Sequence, residues 1–168
     1  MDAKNLYAPW RMEYIRTLEK PDGDACFLCQ AACATTEAEK RSRLVLWTTE
    51  HCIVLINRFP YTNGHLLIAP RAHKADMELL SDAEHLDMRR QATLGVTLLK
   101  RAISAQGFNL GINLGRPAGA GLPGHIHEHI VPRWSGDTNF FSVVGEVRVV
   151  PQAMSQLYDE LLRVKDCR

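Results

Sequence analysis

The chain is almost without net charge. Its 20 Lys and Arg stand against 19 Asp and Glu, a balance of +1 over 168 residues, which gives no sign of a nucleic-acid binder or an acidic-tail protein. No apolar run reaches the ~18 residues of a membrane helix, so a membrane partner is not expected. The first twenty residues lack the apolar segment and cleavage site of a secretory signal, and this predicts a cytoplasmic location. Cysteine is scarce and irregularly placed, at positions 26, 29, 33, 52 and 167. An odd, uneven set disfavours a disulfide framework. There is neither an internal repeat nor a low-complexity tract. A chain of this length suits a single domain, residues 1–168, able to bury a core without staples.

What is present is concentrated in Gly124-His125-Ile126-His127-Glu128-His129-Ile130-Val131-Pro132-Arg133-Trp134. A β-strand turns successive side chains to opposite faces, so His125, His127 and His129 would line one face together. A helix would set them about 200° apart. The β-branched Ile126, Ile130 and Val131 favour the strand, and Pro132 is expected to limit its continuation. Three imidazoles on one face are costly to bury without partners. The bland reading is a His-rich surface strand; the functional one is a nucleophile or a metal site. Glu128 falls on the opposite face, where it is expected to have little effect on the chemistry.

Elsewhere, Cys26-Phe27-Leu28-Cys29 follows an Asp- and Gly-rich turn and brings two thiolates to one side of a tight bend, which suits tetrahedral zinc. Two more ligands are needed, and His73 and His125 are candidates. Residues 30–43 read as a helical turn and a loop. Leu44–Trp47 and Cys52–Asn57 read as paired antiparallel strands, Pro60–His65 as a turn and Leu66–Ala69 as a third strand. Ser81-Asp82-Ala83-Glu84 is a capping box that opens the longest helix. Its apolar face is read as Leu94, Leu98 and Ala102 with Leu99 and Ile103 beside them, and its end as Gly107. Phe108–Gly115 and Val143–Val150 read as further strands. A terminal helix from Pro151 carries Met154, Leu157, Tyr158, Leu161 and Leu162 on one face. Residues 1–25 form an N-terminal arm and 143–168 a C-terminal strand and helix. The fold class is α+β: a mostly antiparallel sheet of about five strands with a long helix packed on it.

The motif at 125–131 resembles that of the histidine triad family, nucleotide hydrolases and transferases reading His-x-His-x-His and two hydrophobic residues. Glu128 departs from it, since an apolar residue is usual there. Ala8-Pro9-Trp10-Arg11, the Ala118–Gly121 loop and Trp134–Phe140 resemble the branch similar to diadenosine tetraphosphate phosphorylases. The resemblance covers roughly residues 5–142. It implies that His127 attacks the α-phosphate of a nucleotide, with His125 and His129 supporting it. It implies a structural zinc on Cys26, Cys29, His73 and His125, and a homodimer.

Asn57 matches the family residue that binds ribose hydroxyls, though it could equally cap the turn that follows. Asn113 is placed like the family's amide residue before the phosphate loop, and His65 like a recurrent histidine near the triad. Ala120, Gly121 and Leu122, after Gly119, stand roughly where the better-known branches carry Gly-Gln-Ser or Gly-Gln-Thr, and all four are candidate substrate-binding residues. Without side-chain donors, they shift phosphate binding to backbone N–H groups. Arg133, Arg116 and Asn139 are candidate polyphosphate contacts. The expected reaction is transfer from a nucleotide or dinucleoside polyphosphate through a nucleotidyl-His127 intermediate to phosphate or water. Two rivals stay open. One is a zinc-binding nucleotide sensor with an inert triad; the other is a hydrolytic zinc enzyme with the metal on the triad.

Overall fold

Cys52–Ile56 and Leu66–Pro70 have no polar face, and the reason is that both runs are buried along their whole length. The computed structural model describes residues 26–137 and 150–167. In chain order its elements are α1 (Phe27–Ala32), α2 (Glu37–Ser42), β1 (Val45–Thr48), β2 (Cys52–Ile56), β3 (Leu66–Pro70), α3 (Asp82–Ile103), β4 (Gly107–Ile112), β5 (Glu128–Arg133) and α4 (Met154–Asp166). The five strands form one sheet in the order β1-β2-β3-β5-β4, and each neighbouring pair is antiparallel.

Alternation along the strands builds a core on each side of the sheet. Val54, Ile56, Leu66, Ile68 and Ile130 pack with Met88, Ala92, Leu98 and Leu99 of α3 and with Leu157, Tyr158 and Leu161 of α4. Val45, Ile53, Leu55, Leu67 and Ala69 pack with Leu28 and Ala31 of α1. In the β3–β5 register Leu67 lies opposite His129 and Ile68 opposite Glu128. Cross-strand partners share a face, so His129 belongs to the α1 side and Glu128 to the α3 side. The expected α+β architecture is present, with its five-stranded sheet, long helix and C-terminal helix.

Several local expectations are corrected. Residues 30–43 contain the second half of one short helix and all of a second, and Thr36 and Glu39 form a capping box on the second. The long helix opens at the expected Ser81–Glu84 capping box, but it stops at Ile103, where Ser104 takes the left-handed conformation. Gly107 instead begins β4. Leu94 is 42% exposed, and the buried face runs through Met88, Gln91, Ala92, Gly95, Leu98 and Leu99. Gly95 hid this face from the apolar pattern. It lies against β5, where an added Cβ would come within 3.0 Å of Ile130 Cδ1.

Pro132 does not stop β5, which continues to Arg133. The β3 ladder has already ended at Leu66–Ile130, and Thr62 Oγ1 donates to the Pro132 carbonyl at 3.0 Å. The missing N–H therefore faces a side with no ladder to join. The β4 strand is shorter than read and ends before Asn113, and α4 starts at Met154 rather than Pro151. The arm at 1–25, Asn139 and most of the strand read at 143–150 lie outside the described residues.

Gly64 holds the turn between β2 and β3 at φ +80°, and a Cβ there would meet Ile103 Cδ1 at 2.5 Å and Leu99 Cδ2 at 3.0 Å. Gly64→Ala is therefore expected to destabilise the fold by about 2–4 kcal/mol, combining left-handed strain with overpacking. An unchanged midpoint in urea unfolding would show that the turn can relax.

Candidate active site and metal centre

The three motif histidines are not all in the strand. β5 begins at Glu128, so His125 and His127 lie on the segment leading into it and only His129 is a ladder residue. His125 is fully buried and His127 nearly so. The rings of His127 and His129 still meet edge to face, with centroids 5.0 Å apart. His125 turns away from them to His73, 5.0 Å between centroids.

Backbone groups determine which nitrogen of each ring carries a proton, because a carbonyl can only accept and an N–H can only donate. His127 Nδ1 lies 2.8 Å from the His125 carbonyl and donates to it. The Nε2 of neutral His127 then keeps its lone pair. The fully buried His65 accepts the Tyr61 N–H on Nδ1 at 3.1 Å. Neutral His65 therefore carries its proton on Nε2, which donates to His129 Nδ1 at 2.9 Å. Neutral His129 in turn holds its proton on Nε2, a buried atom with no hydrogen-bond partner among the described residues. One imidazole thus offers a lone pair and its neighbour an unused N–H. A tetrahedral phosphorus centre needs that pairing from its attacking and proton-donating groups.

Burial pushes the His127 pKa below the ordinary histidine range. Burial, followed by the charge His127 would carry, holds His129 down at about 4. Both rings are consequently neutral at pH 7. Tyr61 covers the His65–His129 pair, stacking on His129 at 5.9 Å and tilting over His65 at 4.7 Å. The sequence reading passed over Tyr61 and left the role of His65 open; an aromatic four residues before a Gly-His turn is the signal that joined them.

The predicted metal ligands converge. Donor atoms of Cys26, Cys29, His73 and His125 all lie within 4.8 Å of one another. Cys26 Sγ is 3.1 Å from His125 Nδ1, and Cys29 Sγ is 3.2 Å from His73 Nδ1 and 3.5 Å from His125 Nδ1. Tetrahedral zinc with bonds of about 2.0–2.3 Å spaces its donors roughly 3.3–3.8 Å apart, so the set fits with small adjustment. His125 Nε2 donates to the Pro70 carbonyl at 2.9 Å, which leaves Nδ1 as the free donor atom facing the thiols. Burial and then the neighbouring Cys26 raise the Cys29 thiol to about 11. A cation is what would remove that penalty. The remaining cysteines 33, 52 and 167 are free thiols.

The other predicted residues divide. Asn57 Oδ1 accepts the Phe59 N–H at 3.0 Å and its Nδ2 lies 3.2 Å from His65 Nδ1, so its amide supports the turn and the histidine pair. Asn113 follows β4 and borders the glycine loop, its Nδ2 3.9 Å from where a Gly119 Cβ would stand. Within the loop, Gly119 N–H donates to the Arg116 carbonyl and Ala120 N–H to that of Gly115. These two amides are used internally. Gly121 and Leu122 keep backbone N–H groups without a partner among the described residues, and Leu122 packs on the α1 side of the sheet, the side of His129. Arg133 is not brought to the histidines. It ends β5, four residues along the strand from His129, on the order of 13 Å, and Asp137 holds its guanidinium at 2.6 and 2.8 Å.

Protonating His129 is harder in the fold than in the unfolded chain, so below the unfolded value near 6.5 the unfolded state binds more protons. Stability from this residue is complete above pH ~6.5 and declines as pH falls toward about 4. His129→Asn should flatten that decline in melting temperature between pH 7 and pH 4.5. Equal slopes in the two proteins would refute the assignment.

Comparison with known proteins places this geometry. The AP-4-A phosphorylase of Mycobacterium tuberculosis (strain ATCC 25618 / H37Rv) is 29% identical over 153 residues, 90% of this chain and 78% of that one. The asymmetrical bis(5'-nucleosyl)-tetraphosphatase of Schizosaccharomyces pombe is 29% identical over 93 residues, 55% of this chain and 50% of that one. Among solved structures, a Zn-bound histidine triad family protein from Mycobacterium smegmatis superposes with a TM-score of 0.63 at 22% identity, covering 86% of this chain and 98% of that one. The HIT domain model matches residues 37–136, all five strands of the described sheet and the histidines of both clusters, and the chain belongs to the HIT, or histidine triad, family.

Proposed function

We propose that this chain is a nucleotidyl transferase that cleaves dinucleoside polyphosphates at the α-phosphate through a nucleotidyl-His127 intermediate, with phosphate as the preferred acceptor. The observation that carries this is the proton arrangement of the pair: a lone pair on His127 Nε2 beside an unused N–H on His129. His127 Nε2 attacks phosphorus, the bond to the leaving polyphosphate breaks, and His129 Nε2–H protonates the departing oxygen. An oxygen of phosphate or water then attacks the same phosphorus, the P–N bond breaks, and His129 recovers a proton from the acceptor. The N–H groups of Gly121 and Leu122 would bind phosphate oxygens, with Asn113 beside them. The names of the relatives, an AP-4-A phosphorylase and a bis(5'-nucleosyl)-tetraphosphatase, support dinucleoside polyphosphates as the substrate class.

Zinc would be held by Cys26, Cys29, His73 and His125 and would be structural, since four protein ligands leave no position for substrate. The Cys and His donor set argues against a metal on the triad, because His127 Nδ1 is committed to a carbonyl and His125 turns toward the thiols. The chain is also proposed to be a homodimer. β4 lies at the sheet edge, and Leu110 and Leu114 on and after it are each 42% exposed.

His127→Ala should reduce turnover of diadenosine tetraphosphate by at least ~10³-fold while preserving fold. In the wild type, phosphorolysis releases ADP with ATP, and hydrolysis of the same bond releases AMP with ATP. AMP as the sole second product at millimolar phosphate would leave a hydrolase; turnover by His127→Ala within a few-fold of wild type would end the covalent mechanism.

Metal analysis of the purified protein should give one zinc per chain. The Cys26→Ser, Cys29→Ser double variant should lose it and melt at least ~5 °C lower. Zinc retained in full by that variant would put the metal elsewhere.

A further inference from the structure

Glu128 is the one departure from the family motif, and its surroundings give it a task. It is 3% exposed, on the side of the sheet shared with Ile68 and Ile130, where every strand neighbour is apolar. Its charge meets Arg89 on α3, with Arg89 Nη2 2.6 Å from Glu128 Oε2. The Arg89 side chain is 60% exposed, so the carboxylate alone bears the cost of leaving water. A buried ion pair is weak as a source of stability compared with apolar packing of the same volume. What it adds is direction: a 2.6 Å bond fixes a position that apolar packing leaves free to slide.

The position fixed is a particular one. Ile68–Glu128 is the last registered pair between β3 and β5, and Ile112–Glu128 the last between β4 and β5. Both ladders stop at this residue, and His127 is the first residue beyond them. From there back to His125 the backbone is held by bonds of a different kind, Ile126 N–H to the Lys74 carbonyl at 2.7 Å and His127 Nδ1–H to the His125 carbonyl at 2.8 Å.

We propose that Arg89 and Glu128 are positioning residues: the pair latches the final rung of the sheet to α3 and so fixes the separation and orientation of His127 and His129. Only the kinetic arm of the test rests on the nucleotidyl-transfer reading.

The test compares wild type with Glu128→Leu, Glu128→Gln and Arg89→Met, using diadenosine tetraphosphate for kinetics and nitrogen-detected NMR of the imidazoles without substrate. Glu128→Leu is expected to melt no lower than wild type, since an apolar side chain suits that face. Its kcat should nonetheless fall at least about tenfold with KM within about threefold, and His127 should lose its single Nδ1–H tautomer. Glu128→Gln, which keeps the size and a hydrogen bond to Arg89, should recover part of the rate. Arg89→Met should reproduce the loss of kcat, and it carries the test if Glu128→Leu does not fold. Wild-type kcat and an unchanged His127 tautomer in Glu128→Leu or Arg89→Met would overturn the proposal. So would kcat losses that merely track melting temperature across the set. If the wild type fails to cleave the nucleotide, the functional reading falls, and the imidazole spectra still decide whether the latch exists.

Discussion

The hydrogen bond from His127 Nδ1–H to the His125 carbonyl governs the rest of the site. A carbonyl has no alternative protonation state, so it acts as a fixed template for the ring that donates to it. The same logic operates at the Pro70 carbonyl for His125 and at the Tyr61 N–H for His65. In each ring a backbone group engages one nitrogen and thereby assigns the other. His125 belongs to both halves of the arrangement. Its ring faces the thiols and its carbonyl faces His127, so whatever steadies the cysteine cluster also steadies the proton on His127.

The sheet explains why this machinery lies just outside it. Within a ladder the carbonyl of His125 would be engaged by a neighbouring strand, and no acceptor would remain for an imidazole N–H. By ending both ladders at Glu128, the fold leaves that carbonyl available while keeping His127 one residue from the rigid part of the molecule. His129, inside the ladder opposite Leu67, has its backbone fixed and depends on His65 for its proton. The two rings of the pair are held by different means, one by local bonds outside the ladders, the other by the sheet.

Much of this was legible in the sequence because the signals were local or chemically rare. The Ser81–Glu84 capping box, the apolar runs at 52–56 and 66–70, and the Cys-x-x-Cys with two distant histidines all correspond to features of the structure. What escaped depended on tertiary context. Gly95 offers no apolar side chain to an apolar pattern, yet it faces β5 so closely that an added Cβ would crowd Ile130. Pro132 looked like a stop, and it is tolerated because the neighbouring strand has already ended. The loop glycines suggested a row of free amides, whereas a tight turn at Arg116–Ala118 uses two of them. Arg89 carried no signal at all, since an exposed helical arginine is unremarkable until its partner is known to be a buried carboxylate.

The cysteine and histidine donors also bear on how distant parts of the chain are tied together. Cys26 and His125 are 99 positions apart and Cys29 and His73 are 44 apart. Closing loops of that length in an unfolded chain is entropically costly. Here the sheet closes only the span between the two histidines, because β3 pairs with β5 and so carries the segment of His125 to the loop of His73. An ion joining these donors would therefore add the two cysteines to a pair of histidines that strand pairing already holds together. The His73 and His125 segments adjoin β3 and β5, whereas α1, which carries Cys29 and is capped by Cys26, is held to the sheet by the packing of Leu28 and Ala31. An ion held there would add a second tie between α1 and the face of the sheet that carries His129.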